Sequence, residues 1–205
     1  MTVVAIDGPV GAGKTSVARA VADRLGLGYL DTGAMYRSVA LAALRRGVDP
    51  EHAPAEEVAA VAREARIEVG ERVLLDGIDV TAELRTPEVG RSVSAVASRP
   101  DVRMILVERQ REWARTHGGG VVDGRDIGTV VFPDADLKLF LTASPEERAR
   151  RRQADETADD LARRDRLDST RAASPLVAAP DARVIDTTGR SIDDIVEEIV
   201  GLLRS

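Results

Sequence analysis

The sequence predicts an α/β fold, a parallel five-stranded sheet with helices on both faces and a small antiparallel three-stranded insertion. Three observations lead there. Short apolar runs at both ends of the chain alternate with helical patterns, the signature of parallel strands joined by crossover helices. In the middle, three brief β-like runs lie close together, two of them meeting at a tight-turn dipeptide. The final apolar stripe has helical spacing.

Taken in order, Val3 to Ile6 is a run short enough for a strand buried on both faces, and it stops at Asp7-Gly8. Val17, Val21 and Leu25 recur at helical spacing until Gly26. Leu27 to Leu30 reads as the second strand, followed by Asp31-Thr32-Gly33 and an Ala/Leu-rich helix reaching Arg46-Gly47. Pro50 and Pro54 bracket a loop before a short helix with Val58 and Val61. Ile67 to Val69, Val73 to Leu75 and Ile78 to Val80 form the insertion, with Asp76-Gly77 as the hairpin turn. Thr86-Pro87 reads as N-cap and first residue of a helix carrying Val89, Val93 and Val96. Pro100 separates it from a helix over about 101–115.

The parallel pattern resumes with Gly120 to Val122, ending at Asp123-Gly124-Arg125-Asp126, and with Leu137 to Leu141. Ser144-Pro-Glu-Glu147 is a capping-box start to an arginine-studded helix. Residues 153–180 are charged and poor in large apolar side chains, so they read as a solvated or mobile segment. Arg183 to Ile185 is the last strand, and Ser191 with Asp194 caps a terminal helix striped by Ile192, Ile195, Val196, Ile199 and Leu203.

Composition narrows the chemistry. The 205 residues suit one compact domain, and 43% apolar content suffices for a core. Zero Cys and two His, His52 and His117, exclude disulfides, thiol catalysis and Cys/His zinc sites. A net charge of -6 argues against a uniformly basic sleeve for a nucleic-acid polymer, and 2% aromatics leave nothing from which to build a stacking platform. No apolar run of membrane-spanning length and no signal-peptide pattern is visible, so the expectation is a cytoplasmic protein without a membrane partner. Lysine occurs only as Lys14 and Lys138, although basic residues total 29, and Asn is absent. Coding bias or heat adaptation explains such scarcity in general; a sharper reading is that Lys14 stands where arginine would not serve.

Gly8-Pro9-Val10-Gly11-Ala12-Gly13-Lys14-Thr15 fits G-x-x-x-x-G-K-[ST] between a strand and a helix, the context that gives the motif meaning. Glycines let successive N–H groups turn around a phosphate, and the positive end of the following helix adds to that field. These residues with Ser16 are the expected ATP cradle, Lys14 reaching the β/γ-phosphates and Thr15 placed to hold Mg²⁺. A guanine-selective switch would carry an Asn-Lys-x-Asp element, which a chain without Asn cannot supply, so a kinase leads.

Three further stretches, Asp31-Thr32-Gly33-Ala-Met-Tyr36-Arg37, Asp123-Gly124-Arg125-Asp126 with the Ile-Gly-Thr-Val-Val-Phe-Pro after it, and Arg164-Asp165 with Asp168 and Arg171-Ala-Ala-Ser-Pro-Leu, resemble bacterial cytidylate kinases almost end to end. The resemblance implies a P-loop kinase fold: a core at about 1–30, 117–147 and 181–205, a monophosphate-binding part with the insertion at about 31–116, and a lid at about 148–175. It implies transfer of the γ-phosphoryl group of ATP to CMP or dCMP with Mg²⁺. Lys14, Arg125, Arg152 and Arg164 would act on the transferred group, and Asp123 would join Thr15 at the metal through water. Thr32, Tyr36, Arg37, Ser94, Arg103, Arg125, Asp126, Asp168 and Arg171 would hold the cytidine monophosphate. Between Arg152 and Arg164 the chain is shorter than many members, and closure by a short helical hairpin is expected.

The chemistry agrees with this set. A phosphate acceptor is already anionic and needs no strong base, only neutralisation and in-line alignment, to which arginine's planar fork is suited. Cytosine's exocyclic amine is a donor that wants a carboxylate such as Asp126, and its ring acceptors want Ser94 or Arg103. Bland roles stand beside the functional ones: Asp7 as a cap or ion-pair partner, Tyr36 as core, Arg150 and Arg163 as solvated charge. A kinase for a small hydroxyl-bearing metabolite would need a base, for which Asp31 is the candidate. A nucleotide-binding regulator without turnover is the third reading. With the apolar stripes assigned to the core, a monomer is expected.

Overall fold

The computed structural model describes residues 1–152 and 175–204. Its elements run β1 (Thr2–Asp7), α1 (Lys14–Leu25), β2 (Tyr29–Asp31), α2 (Thr32–Arg45), α3 (Ala55–Glu64), β3 (Ile67–Val69), β4 (Val73–Leu75), β5 (Ile78–Asp79), α4 (Pro87–Ser98), α5 (Pro100–His117), β6 (Gly119–Gly124), β7 (Leu137–Thr142), α6 (Pro145–Arg152), β8 (Arg183–Asp186) and α7 (Ile192–Arg204). A 3-10 turn at Glu83–Arg85 and a π-helical turn at Ile127–Val131 complete them. Contacts group the chain into two compact units, Met1–Leu30 with Arg111–Ser205, and Asp31–Gln110.

The first unit is built on a five-stranded sheet in the order β2-β6-β1-β7-β8. β1 lies between β6 and β7, parallel to both, and β8 continues parallel to β7. Val4 and Ile6 of β1 share one core with Val17 and Val21 of α1 and Ile195 and Ile199 of α7. On β6, Gly120 admits the Trp113 indole, which a Cβ there would meet at 2.7 Å. Both faces of the central strands are therefore covered, which is why they read as unbroken apolar runs rather than alternating ones.

The second unit packs α2 against α4, with Val39, Ala43, Val93 and Val96 buried, and carries the antiparallel sheet β3-β4-β5. Asp76 and Gly77 take φ of 52° and 82°, the positive values that a two-residue hairpin turn demands. Asp76 Oδ1 also accepts a hydrogen bond from Arg66 N at 2.9 Å, tying the turn to the entrance of β3.

Three local expectations shift. The second strand begins at Tyr29 rather than Leu27 because Gly26, at φ 64°, closes α1, and Leu27 N bonds back to Ala22 O at 2.9 Å. Leu27 is thus used by the helix end and by the core it packs against. Thr86 precedes α4, but its hydroxyl donates to Glu83 O at 2.9 Å instead of capping the helix. At Ser144 half of the capping box forms: Glu147 N bonds to Ser144 Oγ at 3.2 Å, while the Glu147 carboxylate turns to Arg150 and Arg151. The expected lid hairpin lies outside the described residues. No described helix is long and apolar enough to cross a membrane.

With Gly119, Gly8 is one of the two tightest glycines of the first unit. Its φ is 147°, and a Cβ would lie 2.1 Å from Leu141 O of the neighbouring strand. That atom belongs to rigid sheet backbone, so nothing cheap can yield. Gly8→Ala should lower the unfolding free energy by more than about 3 kcal/mol; a denaturant titration showing a change within about 1 kcal/mol would contradict this packing.

Candidate active site

The loop between β1 and α1 is held from outside by its carbonyls. Arg148 of α6 donates to Val10 O at 3.1 Å, and Arg151 reaches Gly11 O at 3.4 Å. Thr187, just past β8, gives its hydroxyl to Ala12 O at 3.1 Å. Since a trans peptide sets N–H opposite C=O, outward carbonyls at Val10 and Ala12 turn the N–H groups of Gly11 and Gly13 to the other side. Gly13 adopts φ 85°, a left-handed conformation open to glycine, immediately before the first turn of α1. The concave side of the loop is thereby an array of donors at a helix N-terminus, suited to an anion.

Lys14 is buried, and its Nζ donates to Pro9 O at 2.8 Å across the loop. Thr15 is exposed, and its hydroxyl donates to Asp123 Oδ2 at 3.1 Å. Asp123, next to last in β6, is 4% exposed and accepts a second bond from the Tyr29 hydroxyl on Oδ1 at 2.9 Å. Among the described residues no group of three or more His, Cys, Asp or Glu could hold a metal ion. A threonine hydroxyl beside one carboxylate is instead a hard, oxygen-only donor set. It fits Mg²⁺, which takes few protein ligands and fills the rest of its shell with water and nucleotide phosphate.

Asp7 is 4% exposed and accepts the N–H groups of Ile127 and Gly128, both at 2.8 Å. Those are the first two donors of the π-helical turn, so Asp7 caps it across 120 residues of sequence. The turn closes through Val130 N and Val131 N on Asp126 O, which fixes the backbone on both sides of the Asp126 side chain. Asp126 is itself buried, while Arg125 is half-buried and donates to Gly124 O at 3.2 Å. Burial pushes the Asp7 carboxyl up to about 6, against the pull of the Gly128 and Ile127 N–H groups. The nearby Asp126 carboxylate adds to the rise and Lys14 opposes it.

In the second unit, Thr32 opens α2 and is buried, and Tyr36 lies one turn on. The Arg103 guanidinium sits 5.6 Å from the centroid of the Tyr36 ring and also donates to Ala97 O at 3.3 Å. Tyr36 is thus both a buried wall and the platform for a buried cation. Ser94 of α4 is half-buried. Asp31 uses both oxygens, Oδ1 capping α2 through Ala34 N at 2.8 Å and Oδ2 holding Arg37 at 2.9 Å. A carboxylate committed to a helix cap and an ion pair is poorly placed as the base of a metabolite kinase; it aims Arg37.

Arg151 is braced as well, through Thr187 O at 2.8 Å and Glu147 at 2.8 Å. Bonds from Arg150, with Arg151 adding, hold Glu147 well below the usual carboxylate range. Arg148 and Arg151 therefore stand as supports of the loop in this structure, a use the sequence reading did not anticipate. Arg150 pairs with Glu147 and is exposed. Arg152 ends α6; Arg164, Asp168 and Arg171 lie outside the described residues.

A family model described as cytidylate kinase matches residues 4–205. A cytidylate kinase of Desulfitobacterium hafniense (strain Y51) is 50% identical over 98% of this chain and 92% of its own length. One from Pelotomaculum thermopropionicum is 51% identical over 96% and 93%, and one from Mycobacterium leprae (strain Br4923) 50% identical over 98% and 95%. Among solved structures, a gluconokinase from Sinorhizobium meliloti 1021 superposes with a TM-score of 0.54 over 99% of this chain and 91% of that one; at 13% identity it shares the fold alone.

The Asp7 carboxyl titrates near 3.8 when the chain is unfolded and near 6 when folded. The folded state thus holds this proton more tightly, and its contribution, about 3 kcal/mol for two pH units, is complete below the lower value and lost as pH rises through the upper. Unfolding free energies of the wild type and Asp7→Asn should diverge by about that amount between roughly pH 4 and pH 7, with the wild type losing more. A difference independent of pH would contradict the assignment.

Proposed function

The chain belongs to the cytidylate kinase family, and from that premise we propose that it transfers the γ-phosphoryl group of ATP to CMP or dCMP, giving the diphosphate and ADP. It is an ATP-dependent phosphotransferase with a P-loop kinase fold. The observation that carries the reading is the phosphate loop whose Thr15 hydroxyl is bonded to Asp123 at 3.1 Å, an oxygen donor pair formed within one unit.

The acceptor phosphate is anionic near neutral pH, so no side chain has to remove a proton. The protein's task is to hold two polyanions in line and offset their repulsion. Loop N–H groups and Lys14 receive the β- and γ-phosphates of ATP, with Gly8, Pro9, Val10, Gly11, Ala12, Gly13 and Ser16 shaping the cradle. Thr15, and Asp123 through water, would hold Mg²⁺, which when bound would supply charge neutralisation on those phosphates. Arg37 and Arg125 grip the phosphate of CMP in the bidentate manner that guanidinium allows. Asp126 accepts from the cytosine amine, while Ser94 and Arg103 donate to the ring acceptors. Thr32 and Tyr36 wall the nucleotide, and Asp168 and Arg171 bind the ribose. Arg152 and Arg164 bear on the transferred group. A lid over 148–175 excludes water during transfer, because hydrolysis of ATP is the competing reaction. We read the protein as a monomer acting in the cytoplasm without nucleic-acid or membrane partners; burial of Ile195, Val196 and Ile199 on α7 supports the first part, while Ile192 at the start of that helix is exposed.

A coupled assay with MgATP across CMP, dCMP, UMP and AMP tests the reading. CMP and dCMP should turn over best; turnover of another acceptor with none of these two would sink it. Arg37→Ala and Arg125→Ala should each reduce kcat/KM for CMP by about a hundredfold or more while ATP affinity holds within about threefold. Unchanged turnover in both variants would favour a binding module.

A further inference from the structure

Asp123 is the carboxylate beside Thr15 of the phosphate loop, and a carboxylate bonded on one oxygen alone is free to swing about its terminal torsion, where the rotamer wells are broad. Here both oxygens are occupied, and from different elements. Thr15, the second residue of α1, donates to Oδ2 at 3.1 Å, and Tyr29, the first residue of β2, donates to Oδ1 at 2.9 Å. The tyrosine is fixed in turn. Arg19, one helical turn beyond Thr15 on the same face of α1, places its guanidinium carbon 5.2 Å from the centroid of the Tyr29 ring. Thr15, Asp123, Tyr29 and Arg19 thus form a closed chain of contacts in which one helix face holds the carboxylate directly at one end and its orienting phenol at the other.

We propose that Tyr29 is a positioning residue of the metal site: its hydroxyl sets the plane of the Asp123 carboxylate, and through it the affinity for nucleotide that depends on Mg²⁺. The inference rests on the reading of Thr15 and Asp123 as the Mg²⁺ residues. Tyr29 touches neither nucleotide nor metal in this account, and its effect should therefore be confined to the metal-dependent part of binding. Partners that orient a metal's ligands typically change metal affinity about 10- to 100-fold when removed.

Tyr29→Phe deletes only the hydroxyl and leaves the ring beneath Arg19, so the fold should be retained, which its melting curve verifies. ATP is titrated calorimetrically into the wild type, Tyr29→Phe and Asp123→Asn, once with excess Mg²⁺ and once with a chelator. The wild type should bind ATP more tightly with Mg²⁺. Tyr29→Phe should lose about tenfold of the MgATP affinity while its metal-free ATP affinity stays that of the wild type. In steady state KM for MgATP should rise and KM for CMP should not. Wild-type affinity in Tyr29→Phe with Mg²⁺, or an equal loss with and without it, overturns the role of Tyr29. If Mg²⁺ has no effect on the wild type and Asp123→Asn is equally indifferent, the metal assignment of Thr15 and Asp123 is what has failed, and the role of Tyr29 falls with it.

Discussion

The parallel register of β1 against β6 is the constraint on which the site depends. Ile6 pairs with Asp123 and Asp7 with Gly124, so the two central strands end level with one another. β1 runs on into the phosphate loop and β6 into the Arg125-Asp126 turn. Because side chains alternate along a strand, this register places Asp123 toward Thr15 on one side, while Asp7 is left to receive the N–H groups of Ile127 and Gly128. A slip by one residue would reverse both. Each strand end thus supports the chemistry of the other, and glycine at position 8 lets β1 and β7 approach closely enough for the arrangement to close.

Charge at this site is effective by location rather than by amount. The chain is acidic overall at -6, yet Lys14, Arg148 and Arg151 gather on the phosphate loop of the first unit. Arg148 and Arg151 spend their donors on the outside of the loop, where they orient peptides; Arg37 is aimed by Asp31, and Arg103 lies over Tyr36. Lys138, left without a role by the sequence, is buried and ends in an ion pair with Asp181 at 2.8 Å, while its stem lies beneath Gly128 of the π-helical turn. It supports the turn that Asp7 caps.

Much of this was legible in the sequence because it is local. The loop pattern, the Asp76-Gly77 hairpin and the Ser191 cap are decided by a few adjacent residues, and Ser191 Oγ does accept Asp194 N at 3.1 Å. What escaped reading joins distant segments. Asp7 and Gly128 stand 121 residues apart, Tyr29 and Asp123 94 apart, and Thr187 and Ala12 175 apart. No periodicity encodes such pairs. Their one trace in the sequence is a polar residue at the end of an apolar run, which marks a place where something must be paired but not its partner. Thr86 failed as a cap for a local reason: its hydroxyl turns back to Glu83 O, which also accepts the Thr86 N–H.

In the proposed mechanism, the position of a compact ammonium inside the loop, rather than positive charge as such, drives transfer. Lys14 is buried, with its Nζ already 2.8 Å from Pro9 O, and a guanidinium is broader and planar, so it cannot occupy the same point. The direct test is single-turnover phosphoryl transfer from MgATP to CMP by Lys14→Arg, with melting temperature as the control for folding. Lys14→Arg should lose at least about a hundredfold at unchanged fold and charge; a rate within about threefold of the wild type would contradict this role of the ammonium.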